Sequence, residues 1–209
     1  MDKEYKIIRG EGTGEIIEKK SRFIGVAVPV SSEEEAYSFI EGIRKTHYQA
    51  RHNCFAFSLL NEENGSVLER FSDDGEPQGT AGLPILGVIR ASEVNNILIV
   101  VTRYFGGTLL GTGGLVRAYT DASKAALGEA DIHTVKHVVP VMIEIDYTDV
   151  GRIDHMIMNK GYEALPAEFT DKVNRTIYVP FEELDSFHKA VTEATSGKAA
   201  MLDMDDIYR

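Results

Sequence analysis

The chain has 209 residues, 43% of them hydrophobic and 26% charged, with a formal net charge of −11. That length allows one large domain or two small ones, and that balance is ordinary for a globular chain. With 22 Lys+Arg against 33 Asp+Glu, a general basic coat for nucleic acid is excluded, because phosphate contacts supply most of such binding. The deficit is shared: residues 1–131 hold 14 Lys+Arg and 19 Asp+Glu, residues 132–209 hold 8 and 14. A local basic patch stays open. One cysteine, Cys54, excludes an internal disulfide and a Cys-rich zinc centre. No run approaches the roughly 18 consecutive apolar residues of a membrane span. The charged start, Met1-Asp2-Lys3-Glu4, leads into no apolar signal core, so a cytoplasmic protein without membrane contact is expected.

In chain order, Tyr5–Arg9 and Glu15–Glu18 read as short strands among Gly10, Gly12 and Gly14. Arg22–Val30 is a third strand. Ser32 is an N-cap, followed by Glu33, Glu34 and Glu35 in a first turn that favours negative charge. Ala36, Phe39, Ile40 and Ile43 mark that helix's buried face. Lys19, Lys20 and Arg22 form a small basic cluster, the usual guard of a solvated strand edge. His47 and His52 stand five apart, which places them on one face of neither helix nor strand. Hydrogen-bonded structure is the plainer reading, and no metal is assigned.

Asn53–Leu60 is a strong strand containing Cys54, whose thiol is expected to be buried and inert. Asn64-Gly65 turns the chain into a returning strand, Val67–Phe71. Asp73, Asp74 and Glu76 put three carboxylates within four residues. They suit Mg²⁺ or Ca²⁺ chemically, but Asp-Gly and Glu-Pro are ordinary turn dipeptides, so a solvated acidic turn is the competing reading. Thr80 is the expected N-cap of a helix over Ala81–Glu93.

Ile97–Val101 is an unbroken apolar run with four β-branched residues of five, the mark of a strand buried on both faces. Leu115, Tyr119, Ala122 and Ala126 make one face of a helix from Gly113 to about Ala130. Between strand and helix lie Gly106, Gly107, Gly111, Gly113 and Gly114. Strand, glycine loop and helix together suit a phosphate, with Arg103 as countercharge. Thr112 stands where a P-loop needs Lys, and Val116 where a dinucleotide fingerprint needs its third Gly. Tight turns and close packing are the alternative use of these glycines.

Asp131–Lys136 shows no periodicity and reads as a connector. Beyond it come a strand at Val138–Tyr147, a helix from Thr148 or Asp149 through Lys160, and Gly161 as its stop. Strands at Tyr162–Thr170 and Val173–Val179 follow. A helix over Phe181–Thr195 turns Leu184, Phe187, His188 and Val191 inward, and Ala199–Tyr208 is a last strand. That β-α-β-β-α-β order is ferredoxin-like.

Arg103-Tyr104-Phe105-Gly106-Gly107 and Leu110-Gly111-Thr112-Gly113-Gly114-Leu115-Val116-Arg117-Ala118-Tyr119 resemble the signature of the IMPACT/YigZ family. Asp73-Asp74-Gly75-Glu76-Pro77-Gln78-Gly79-Thr80-Ala81-Gly82-Leu83-Pro84-Ile85-Leu86 is similar to its second block. Lys20-Ser21-Arg22-Phe23-Ile24 and Ala50-Arg51-His52-Asn53-Cys54 fit its earlier ones. The resemblance implies an α+β protein. Residues 1–131 would form an IMPACT-type domain similar to domain 2 of ribosomal protein S5. Residues 136–209 would form a ferredoxin-like domain like the fifth domain of the ribosomal translocase. It also implies a role in translation. The eukaryotic member restrains a stress kinase through an extra partner-binding domain that has no matching segment here, so that stress-response role does not transfer directly.

No nucleophile, base and orienter can be assembled from these residues. The expectation is therefore a non-enzymatic protein, without cofactor or catalytic residues, that contacts RNA, the ribosome or a ribosome-linked protein as a monomer. Candidate binding residues are Lys20, Arg22, His52, Asp73, Asp74, Glu76, Thr80, Arg103, Tyr104, Phe105, Gly106, Gly107, Gly111, Gly113, Gly114 and Arg117. Tyr104 and Phe105 would stack bases, and Lys19 and Arg51 would add charge. The alternatives are a phosphate-binding enzyme built on Arg103 and the glycine loop, and an adaptor using the ferredoxin-like sheet.

Overall fold

The computed structural model describes residues 4–61 and 64–209. The chain is α+β and divides into two compact units, Met1–Thr134 and Val135–Arg209. The first holds β1 (Glu4–Ile8), β2 (Gly12–Glu18), β3 (Ser21–Pro29), α1 (Glu33–Thr46), β4 (His52–Leu60), β5 (Val67–Ser72), α2 (Gly82–Ser92), β6 (Ile97–Tyr104) and α3 (Thr112–Gly128). Five of these strands form an antiparallel sheet in the order β2-β3-β6-β4-β5.

The central place of β6 follows from its apolar run. Successive side chains point to opposite faces. Ile97, Ile99 and Val101 enter a core with Ile85, Ile89, Leu115 and Tyr119 of α2 and α3. Leu98 and Val100 enter another with Ala36 and Ile40 of α1. Helix α3 lies close on the sheet because β3 offers it a glycine. A Cβ at Gly25 would stand 2.5 Å from the Ala122 carbonyl oxygen.

Helix α1 starts as its sequence requires. Ser32 Oγ accepts the Glu35 N–H at 3.1 Å, and the Glu35 carboxylate accepts the Ser31 N–H at 2.7 Å. Helix α2 does not. Thr80 is not its cap, because the Thr80 hydroxyl donates back to the Pro77 carbonyl at 2.7 Å. Asp73 takes the role from a distance. Its carboxylate accepts the N–H groups of Gly79, Ala81 and Gly82 at 2.8, 3.0 and 2.8 Å.

The expected connector is a strand. β7 runs Ile132–Ile145, starting within the residues read as unstructured. The Arg9 N–H bonds the Asp131 carbonyl at 2.9 Å just before it, and Lys136 and Arg209 exchange backbone N–H···O bonds at 2.7 and 2.9 Å. Backbone pairing makes this part of the strand, and most of its side chains stay outside the core. That is why no periodicity announced it.

The second unit continues with α4 (Val150–Lys160), β8 (Glu163–Ala164), β9 (Glu168–Phe169), β10 (Val173–Pro180), a short 3-10 turn and α5 (Leu184–Ala194). β11 (Ala200–Asp203) and β12 (Ile207–Tyr208) complete it. The order β8-β10-β7-β11 is antiparallel throughout and ferredoxin-like. Its core joins Val141, Ile143, Ile153, Ile177, Phe187 and Val191. Two long strands expected here are each broken in two. Pro166, which has no N–H to give a ladder, lies between β8 and β9. His188 is half-buried rather than turned into the core, and its Nε2 meets the Asp203 carboxylate at 2.8 Å. Among the described residues no helix is long and apolar enough to cross a membrane.

Candidate functional site

Three neighbouring strands bring the sequence-singled residues to one end of the first sheet. Arg103 of β6 stands opposite Phe23 of β3 and His52 of β4, and Tyr104 opposite Arg22. The β2–β3 turn, Lys19-Lys20, adopts left-handed backbone at both residues, with φ of 46° and 67°. Gly106 locks the loop after β6 onto that turn. Its N–H donates to Ser21 Oγ at 3.1 Å, and a Cβ on it would fall 2.0 Å from the Lys20 carbonyl carbon.

The acidic turn closes the other side. The Asp74 carboxylate accepts the Asn53 N–H at 2.7 Å and an Arg44 N–H at 2.9 Å. The Asp74 carbonyl meets His52 Nδ1 at 2.9 Å. His47 Nδ1 and the Tyr104 hydroxyl are 2.9 Å apart. Both histidines thus serve local structure. Among the described residues, no group of three or more His, Cys, Asp or Glu side chains is placed to hold a metal ion.

Beneath this end lies a buried polar cluster. Arg103 Nη1 donates to Glu76 Oε1 at 2.6 Å, and the Tyr119 hydroxyl donates to the same oxygen at 2.8 Å. The Cys54 thiol donates to the Asp73 carbonyl at 3.0 Å and lies 3.4 Å from the Tyr119 hydroxyl. Burial pushes the Cys54 thiol and the Tyr119 phenol well up from their ordinary values, so both stay neutral and chemically quiet. Neither could act as a nucleophile without being uncovered.

Two sequence expectations are corrected here. Glu76 is not part of a solvated turn, because its carboxylate is buried against Arg103 and Tyr119. Arg103 is not a surface cation. It is 7% exposed, with its guanidinium carbon 5.4 Å from the Phe23 ring centre and 5.6 Å from that of Phe105. Its Nη1 is held by Glu76, while its buried Nε has no hydrogen-bond partner among the described residues.

The remaining candidates spread outward. Gly107 and Gly111 lie in the loop before α3, and Gly113 and Gly114 in its first turn. Thr80 is buried at the start of α2. Arg117 is exposed on α3, its Nη1 3.8 Å from where a Cβ on Gly113 would be.

The electrostatics of this end follow from who is paired. Asp73, Asp74 and Glu76 are all bound inside the fold. Arg22 pairs with Glu15 at 2.7 Å. Lys19, Lys20, Arg51 and Arg117 are exposed and make no ion pair among the described residues. Glu18, beside Lys19, is exposed too. Phe105 is 56% exposed and Leu109 83%. A chain with a large negative charge thus carries Lys19, Lys20 and Arg51 exposed at the starts of the two strands that flank β6, which leads into an exposed aromatic ring.

Sequence reasoning had not singled out Arg44, Leu109 or the role of Tyr119. Tyr119 gave one signal. It interrupts a helix face of small residues, Ala118 and Ala122, and a buried tyrosine hydroxyl usually needs a partner.

Comparison with known proteins gives the same division of the chain. The Impact N-terminal domain matches residues 19–127, and a domain of unknown function, DUF1949, matches residues 143–198. The IMPACT family member YvyE of Bacillus subtilis (strain 168) is 35% identical over 93% of this chain and 88% of its own. The family member YigZ of Escherichia coli (strain K12) is 33% identical over 90% and 92%. A solved structure described as that of a hypothetical protein aligns over 98% of this chain and 99% of its own, with a TM-score of 0.59 and 28% identity. With matches along both domains and nearly the full length of these bacterial relatives, the chain belongs to the IMPACT family.

Proposed function

We propose that the protein is a translation-associated binding protein, not an enzyme, and that its first unit contacts RNA on or near the ribosome. One observation carries this reading. The carboxylates of the acidic turn are bound internally, while Lys19, Lys20 and Arg51, at the starts of the strands that flank β6, are exposed and make no ion pair among the described residues, next to the strand that leads into Phe105. A net charge of −11 repels a polyanion at a distance, but salt near physiological strength screens this beyond ~8 Å. Contact at short range then depends on the local cations. Family membership supports the translational setting; the ribosomal likeness that the resemblance implies for the two domains is analogy rather than mechanism. The competing reading, a phosphate-binding enzyme, loses its cation, because Arg103 is bound to Glu76.

Co-sedimentation of the full chain with ribosomes, with and without nuclease, tests the proposal. Binding is expected at low salt, abolished by nuclease. For about three phosphate contacts it should fall roughly 20-fold between 50 and 200 mM salt. A protein that ignores ribosomes and RNA at low salt, yet keeps a protein partner after nuclease, would be an adaptor instead.

A further inference from the structure

We infer that the RNA taken at this end is single-stranded, with one base stacked on Phe105 and neighbouring phosphates on Lys20 and Arg51. The inference rests on the RNA reading above and specifies which form of RNA the site accepts.

The Phe105 ring is not a loose surface side chain. Arg103 lies 5.6 Å behind it and 5.4 Å from Phe23, so Phe23, Arg103 and Phe105 form a layered stack. Its middle member is buried and tied to Glu76. The ring therefore has a fixed base and an exposed remainder. Exposed aromatic rings beside cations are how proteins hold unpaired bases, since every base has a π-face. Tyr104 does not share this role. It is half-buried, its hydroxyl is bound to His47, and the two rings meet edge-on.

The strand order sets the positions of the cations. β3 and β4 flank β6, so the Lys19-Lys20 turn and Arg51 lie on opposite sides of the strand that leads into Phe105. With neighbouring strands ~4.8 Å apart, the two flanks are roughly 10 Å apart. A single strand can lay one base on the ring and its backbone across both flanks. A duplex cannot, because its bases are already stacked and paired, and proteins that take duplex RNA read its shape and backbone over many base pairs.

The test is fluorescence anisotropy of the full chain at low salt with a labelled oligouridylate and a blunt RNA duplex of the same length. The oligouridylate is expected to bind at least tenfold more tightly. Phe105→Ala should weaken it about tenfold in a chain that still unfolds cooperatively on heating, and Phe105→Trp should restore it. Lys20→Ala and Arg51→Ala should each reduce the salt slope by about 0.7. Equal binding of the duplex, or full affinity in Phe105→Ala while Lys20→Ala weakens binding, overturns the inference and leaves the RNA reading standing. Failure of both RNAs to bind overturns both. So does a nuclease-resistant protein partner released by Phe105→Ala, which would make this a protein contact.

Discussion

Replacing Glu76 by alanine is expected to destabilise the first unit by about 3–5 kcal/mol, the usual cost of breaking a buried ion pair from one side. The substitution leaves the 7%-exposed Arg103 guanidinium without its counterion and the Tyr119 hydroxyl without its acceptor. An uncompensated buried charge, not the lost attraction, sets the size of the effect. Glu76→Leu combined with Arg103→Met should therefore cost less than Glu76→Ala alone, although it changes more atoms. Urea unfolding of the three proteins measures this. A loss below about 1 kcal/mol for Glu76→Ala, the range of an exposed pair, would show that the cluster is solvated. Glu76 touches no proposed ligand, yet its loss should also weaken RNA binding, because Arg103 would no longer hold the base of the Phe105 stack.

Gly106→Ala is expected to have the second-largest effect, although it adds one methyl group. That carbon would sit 2.0 Å from the Lys20 carbonyl carbon, 2.2 Å from its oxygen and 2.3 Å from the Ser21 nitrogen. All three are backbone atoms, so no side chain can swing aside. Either the β2–β3 turn or the loop after β6 must move, at roughly 3 kcal/mol for an overpacked site. Thermal unfolding checks the stability change. The same shift separates Lys20 from Phe105, so oligouridylate binding should fall with it. A protein of unchanged stability and affinity would mean that the loop and the turn are not in contact.

The sequence carried more of this site than its motifs alone suggest. Ile97, Ile99, Val101 and Arg103 share one face of β6 by simple alternation, so Arg103 belonged with the core of α2 and α3 from the start. Its charge and its place beside a glycine loop pointed to the surface instead. Nothing local names its partner. Glu76 is 27 residues away and Tyr119 lies 43 beyond Glu76. The α2 cap was missed for the same reason, since Asp73 reaches forward eight and nine residues where a cap is sought next to the helix. The ferredoxin-like order was legible because its strands and helices bury periodic faces. The opening of β7 was not, because pairing there is made by backbone groups that every sequence possesses.

RNA held by the first unit at the Phe105 end of its sheet should be directly visible there. Ultraviolet cross-linking of the full chain to oligouridylate at low salt, followed by mass mapping of the cross-linked peptides, tests it most directly. Cross-links are expected on the peptide containing Phe105, reduced in Phe105→Ala and in Lys20→Ala. Cross-links confined to residues 135–209, or none above those of a non-binding control protein, would contradict it.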